Sequence, residues 1–175
     1  MILISLSIIL ILLFAPSCRA ESIDTTPISE FNIDRYMGKW YEVARFDNRF
    51  ERNLTDVTAE YSICDNNIIT VINRGFNTQE ELWKEAHGKG EPTSTQGRFK
   101  VSFFLFFSSE YNVLGIGDEY EWALVGTKSS KFLWILSRTP TLMADTLRHI
   151  ISLAEQRGYD IEKLNIIQRE DMALR

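Results

Sequence analysis

The stretch Tyr36-Met37-Gly38-Lys39-Trp40-Tyr41-Glu42-Val43-Ala44-Arg45-Phe46, YMGKWYEVARF, decides how this chain is read. From Trp40 onward its side chains alternate. Trp40, Glu42, Ala44 and Phe46 share one face, and Tyr41, Val43 and Arg45 share the other, which is the period of a β-strand. A tryptophan held behind a glycine at the start of such a strand is either ordinary core filling or the base of something hollow.

The same period continues downstream. Val57, Ala59, Tyr61 and Ile63 alternate with Thr58, Glu60 and Ser62, Asp65-Asn66-Asn67 is a hairpin signal, and residues 68–73 return. A strand over 82–88 precedes a Gly/Pro/Ser/Thr loop at 90–97. Phe99, Val101 and Phe103 alternate with polar neighbours, and further apolar segments cover 111–117, 120–127 and 132–137. Short strands at this spacing predict an all-β fold, a closed antiparallel meander or a sandwich. Only one segment takes a helical period: Thr139 reads as N-cap, Pro140 as the first helical residue and Gly158 as a left-handed stop. Between them Met143, Leu147, Ile150, Ile151 and Ala154 form one stripe that packs on the outside of the sheet. A short extended tail at 165–168 follows. An eight-stranded barrel either holds a small ligand or is filled by its own side chains. Small positions on the inferred inner face (Ala44, Ala59, Gly115, Gly117, Ala123) mixed with large ones (Phe46, Tyr61, Phe103, Trp134) suit a lined cavity, although a packed interior reads much the same.

The 175 residues suffice for one domain, and 12% aromatic content puts much π surface inside it. A net charge of −5 repels a phosphate backbone, so no nucleic-acid partner is expected. Residues 1–14, MILISLSIILILLF, form an uncharged apolar run of the length of a signal-peptide core. Ala15-Pro16-Ser17-Cys18 then resembles a bacterial lipobox. The expected organisation is a lipoprotein signal peptide at 1–17, a lipidated tether at 18–30 beginning at Cys18, and a barrel domain at 31–170. The alternative is a Cys18–Cys64 disulfide; lipidated Cys18 with a buried, inert Cys64 is preferred.

Three marks in order point to a family. Gly38-Lys39-Trp40 resembles the G-x-W signature of lipocalins, Asp118-Glu119-Tyr120 sits where they carry a turn between the sixth and seventh strands, and Ser137-Arg138 ends the eighth strand where they place a single arginine. The segments GKWYEVARFDNRFERNL, VTAEYS, VINRGFN, KVSFF, YNVLGI and LWILSRTP look like the bacterial lipocalins, outer-membrane lipoproteins related to apolipoprotein D and the plant temperature-induced lipocalins. The resemblance covers Phe31 to Gln168. It implies an eight-stranded up-and-down β-barrel with one C-terminal helix outside. Gly38, Trp40 and Arg138 then form the structural base, with the Arg138 guanidinium over the indole of Trp40.

Carried over position by position, the resemblance assigns ligand contacts to Ala44, Phe46, Ala59, Tyr61, Val71, Asn73, Val101, Phe103, Val113, Ala123, Val125, Phe132 and Trp134. Glu42, Asn73 and Tyr61 are the polar groups expected to face inward. The implied partners are a fatty acid or lysophospholipid, the membrane through the N-terminal lipid anchor, and a second copy meeting it at the open end; the implied location is the bacterial outer membrane. One departure stands out: Leu105-Phe106-Phe107-Ser108-Ser109 makes the loop beside the entrance apolar, either a patch for a membrane or a second copy, or a lid folded inward. His87 and His149, the only histidines, read as surface residues, and no hydrolase or metalloprotease motif occurs. Neither enzymatic activity, a cofactor nor a metal is expected. The alternative to a lipid carrier is a filled-barrel envelope lipoprotein acting through its outer surface.

Overall fold

The computed structural model describes residues 22–64, 67–104 and 107–168. After a short helix α1 (Ile33–Tyr36) come β1 (Gly38–Phe46), β2 (Leu54–Ile63), β3 (Ile69–Asn77), β4 (Leu82–Pro92), β5 (Arg98–Phe104), β6 (Phe107–Ile116), β7 (Trp122–Gly126) and β8 (Leu133–Ser137). Helix α2 (Ala144–Gln156) and a short β9 (Leu164–Ile166) complete the chain. Each strand pairs with its successor, and β1 pairs with both β8 and β2, so the sheet closes into an eight-stranded antiparallel up-and-down barrel. Closure removes the exposed sheet edges that an open meander would leave.

β1 holds both ends of the closure. Its first half, from Gly38 to Tyr41, pairs with β2 from Tyr61 to Thr58. Beyond that point β2 departs, and β9 takes the same edge, Leu164 opposite Phe46 and Ile166 opposite Ala44. Two apolar clusters follow from the alternation. One fills the barrel around Trp40, Tyr61, Val71, Val101, Val113 and Val125. The other lies between the outer wall and α2, where Val43, Leu114, Leu124 and Ile135 meet Ile150, Ala154 and Tyr159. Burying a side chain such as Ile150 contributes roughly 1.5–3 kcal/mol.

The floor is built as the sequence leads one to expect. Gly38 has φ +90°, a conformation open to glycine, and a Cβ there would sit 3.5 Å from Arg138 Nη1. Trp40 is fully buried, with the Arg138 guanidinium 3.8 Å from its ring centroid. Arg138 also donates to the carbonyls of Arg35 (2.7 Å), Lys39 (2.9 Å) and Tyr120 (3.3 Å), and Trp40 Nε1 donates to Tyr36 O at 2.8 Å. One side chain thus joins α1, β1 and the β6–β7 turn.

Elsewhere the structure departs from the sequence reading. The segment before Gly38 is helical: Asn32 caps α1 by accepting from Arg35 N at 3.1 Å. α2 begins at Ala144 rather than Pro140, with Met143 at the N-cap. Thr139 donates to Thr141 O at 2.7 Å and its own N–H bonds Ser137 Oγ at 3.1 Å, local bonds that compete with a helical start. Met143 is consequently 76% exposed, and Leu142 takes the buried position instead. Gly158 stops the helix at φ +83° as expected. Gly115 lies against the outward-facing Trp122 and Gly117 lies in the turn after β6, so neither lines the interior.

The segment 18–30 is not a free tether over its described part. Asp24 N donates to Arg157 O at 2.8 Å, Arg157 pairs with Asp24 at 3.0 Å, and Ile28 N donates to Val113 O at 2.9 Å. Pro27 is buried, so residues 22–30 form a strap along the outer wall. Cys18 lies outside the described residues, as do Leu105 and Phe106 of the apolar segment 105–109. Cys64 carries a free thiol and is exposed, 3.0 Å from Thr70 Oγ1, not buried.

Replacing Arg138 by Met removes the cation–π contact and three charge-assisted bonds at a partly exposed site. The free energy of unfolding should fall by about 2–3 kcal/mol, read from urea denaturation.

Candidate ligand-binding site

The lumen is graded from floor to mouth. At the floor, Tyr36, Tyr61 and Tyr111 bring three hydroxyls together: Tyr111 Oη lies 2.5 Å from Tyr36 Oη and 3.0 Å from Tyr61 Oη. Phe31 and Phe99 pack edge-on beside them at 5.6 Å. Burial raises the Tyr61 phenol to about 12, and that of Tyr36 and Tyr111 well above the ordinary value of 10. These groups act as neutral hydrogen-bonded partners. The space left between them and Val71 and Val101 is about 10 Å³.

Nine of the assigned wall residues lie in or against the lumen cluster: Ala59, Tyr61, Val71, Val101, Phe103, Val113, Ala123, Val125 and Trp134. Asn73 shares this face by register with Ala59, and its buried Oδ1 has no partner. Phe132 stacks on Trp134 at 5.9 Å and an interplanar angle of 16°. Ala44 and Phe46 do not line the lumen. Both belong to the outer cluster, with Phe46 edge-on to Tyr159 at 6.1 Å.

The reason is a bulge. Opposite β8 the register runs Glu42↔Leu136 and then Ala44↔Ile135, so two steps on β1 match one on β8. Val43 and Ala44 therefore both face outward, and everything after them is turned over. Arg45, opposite Trp134, enters the barrel in place of Ala44.

Arg45 is the centre of a polar cluster that strict alternation hides. It is 6% exposed, its Nη1 donates to Glu42 Oε1 at 2.6 Å, and Nη2 donates to the carbonyls of Glu51 (2.9 Å) and Leu54 (3.1 Å). Its Nε is buried without a partner. The Glu51 side chain accepts from Trp134 Nε1 at 3.0 Å and from Asn48, whose own Oδ1 accepts from the N–H groups of Phe50 and Glu51. Residues 47–53, which connect β1 to β2 at the mouth, are thus pinned from inside the barrel. Burial, and next the Glu51 carboxyl beside it, raise Glu42 from 4.5 to about 8, although the Arg45 guanidinium pulls the other way.

A second hollow, about 380 Å³, lies outside, at the seam where β2 leaves β1. Tyr41, Thr58, Trp83, Pro140 and Gln168 line it, with the Lys39 ammonium over Tyr41 and the Arg74 guanidinium over Trp83. His87 and His149 both sit on the outer surface, His87 paired with Glu85 and His149 edge-on to Trp122.

A folded-state value near 8 means that folded Glu42 keeps a proton which the unfolded chain releases near 4.5. Its contribution to stability is full below pH 4.5 and is lost as pH rises toward 8. The urea midpoint should fall across that window, and Glu42→Gln should flatten the fall.

Comparison with known proteins adds the following. A lipocalin-like domain model matches residues 31–169. The outer membrane lipoprotein Blc of Citrobacter freundii is 43% identical over 143 residues, 79% of this chain and 80% of that protein. Mouse apolipoprotein D is 30% identical over 150 residues, 79% of this chain and 77% of that protein. Insecticyanin from the tobacco hornworm Manduca sexta superposes with a TM-score of 0.67 at 20% identity, covering 86% and 87% of the two chains, which speaks to the fold.

Proposed function

We propose, from the premise that this chain belongs to the lipocalin family, that it is a non-enzymatic lipid binder held at the bacterial outer membrane by acyl chains on Cys18. The ligand is a fatty acid or lysophospholipid, stored or carried for membrane maintenance. The observation that carries this reading is the gradient of the lumen: an apolar and aromatic interior around Trp40, Val71, Val101, Val113 and Val125, with Arg45 and Glu51 toward the mouth and Glu42 reaching Arg45 from the floor side. An amphiphile has the same polarity from tail to head. The similarity to an outer membrane lipoprotein and the lipobox-like sequence before Cys18 support the anchor.

The filled-barrel reading also has an observation in its favour. Drug-sized sites measure about 300–1,000 Å³, far above the 10 Å³ between the tyrosines and the valine wall. The larger hollow lies on the outside, where an envelope protein acting through its surface would have it. Lipid uptake therefore requires the mouth connection at 47–53 to release and the lumen rings to shift.

Titration with a fluorescent polyene fatty acid separates the two readings. Palmitate or a C16–C18 lysophospholipid should displace the probe at micromolar concentrations from protein whose circular dichroism is that of a folded barrel. Absence of displacement by every such amphiphile would favour the filled barrel. The anchor is checked independently by growth in radiolabelled palmitate, which should mark the chain, and by Cys18→Ala, which should abolish the mark.

A further inference from the structure

We infer that Arg45 is the receptor for the anionic head group of the bound amphiphile, a carboxylate or a phosphate, and that taking up this group unlatches the connection at 47–53. The inference rests on the lipid-binding reading and names the chemistry of its polar end.

Arg45 is a buried guanidinium whose Nη groups are bonded to Glu42 and to two main-chain carbonyls, while its Nε–H is buried with nothing to bond. A buried donor left unpaired is costly, so a site of this kind gains from any acceptor that can reach it. Carboxylates and phosphates fit best, because both accept two parallel N–H bonds from one edge of the planar fork. The Nε edge of Arg45 is shared with one Nη, and the bonds of Nη2 go to Glu51 O and Leu54 O, main-chain groups of the mouth connection. An anion bridging Nε and Nη2 uses the Nη2 hydrogen on the Nε edge and so takes the place of one of those carbonyls. Head-group capture and release of the connection then become one event.

Glu42 is a positioning residue. Its 2.6 Å contact with Nη1 fixes the rotation of the guanidinium and leaves the Nε edge facing away from it. The charged and titratable groups around the fork are Glu42 on the same strand and Glu51 from the mouth connection, with Tyr61 deeper in the lumen and near enough to feel both carboxyls. A neutral hydroxyl can accept a single N–H bond from the fork but not two parallel charge-assisted ones, and so leaves the carbonyls of Glu51 and Leu54 in place.

The test compares three C16 amphiphiles as competitors for the fluorescent fatty acid: palmitate, palmitoyl-lysophosphatidylglycerol and neutral hexadecanol. Because Arg45→Met alone leaves a buried carboxyl facing apolar atoms, the informative pair is Glu42→Gln and Glu42→Gln/Arg45→Met, each first shown to be folded by circular dichroism. The intact protein should prefer an anionic competitor to hexadecanol, and Glu42→Gln sets the reference against which the double variant is read. The double variant should lose about ten- to a hundredfold in affinity for that competitor, with hexadecanol unchanged. Loss confined to palmitate identifies a carboxylate ligand, and loss confined to the lysophospholipid identifies a phosphate; either sustains the assignment. Equal affinity for charged and neutral competitors, or an undiminished preference in the double variant, overturns it while leaving lipid binding intact. Failure of all three to displace the probe from the intact protein removes the premise and the assignment together.

Discussion

One extra residue in β1 governs where chemistry can occur in this barrel. A strand has a period of two, so an inserted residue reverses the facing of every side chain beyond it. Here the insertion falls between Glu42 and Ala44. The floor side of β1 keeps Trp40 and Glu42 inside. Beyond the bulge Arg45 turns in, while Ala44 and Phe46 turn out to meet α2 and Tyr159. The same insertion thus supplies the apolar landing for the helix and the cation of the lumen.

Burying that cation is expensive, and the surroundings show how it is borne. Arg45 receives a carboxyl from its own strand and two main-chain carbonyls from the next connection, so the charge is distributed over partners that come from one continuous piece of chain. Pairs of this kind seldom add net stability over a well-packed apolar replacement; their usual value is specificity of arrangement. In this barrel the arrangement they specify is the closed position of residues 47–53. The floor solves a similar problem more cheaply. Arg138 stays partly in contact with water and joins its neighbours through the face of Trp40 and three carbonyls.

Much of the architecture was readable in the residues because it rests on alternation. The strands, their up-and-down order, the external helix stripe at Ile150 and Ala154, and the triad Gly38, Trp40 and Arg138 all follow from local pattern and a family resemblance. Most of the wall followed too, since Tyr61, Val71, Val101, Val113 and Val125 lie on strands whose parity is undisturbed there. What was missed was each place where parity breaks. The bulge in β1 misplaced Ala44, Phe46 and Arg45, and the one between Val113 and Gly115 moved Gly115 outward. The first has no sequence mark, whereas the second carries one, Gly115, since an isolated glycine inside a strand pattern is a sign of a bulge. Tyr36 and Tyr111 were missed for other reasons: the first precedes the first strand, in a short helix that no strand period announces, and the second stands at the first position of its apolar segment, two residues before Val113 and on the same face.

The strap formed by residues 22–30 bears on reach. Arg157 and Val113 hold it to the outer wall from Asp24 to Ile28. If Cys18 carries the anchor, the chain between it and Ser22 spans at most about 14 Å when fully drawn out. A body on so short a leash cannot swing away from its own leaflet to visit another. Under that anchor, cargo would have to travel as a free molecule or pass to a collector that comes to the barrel, and the protein would be a stationary depot rather than a ferry.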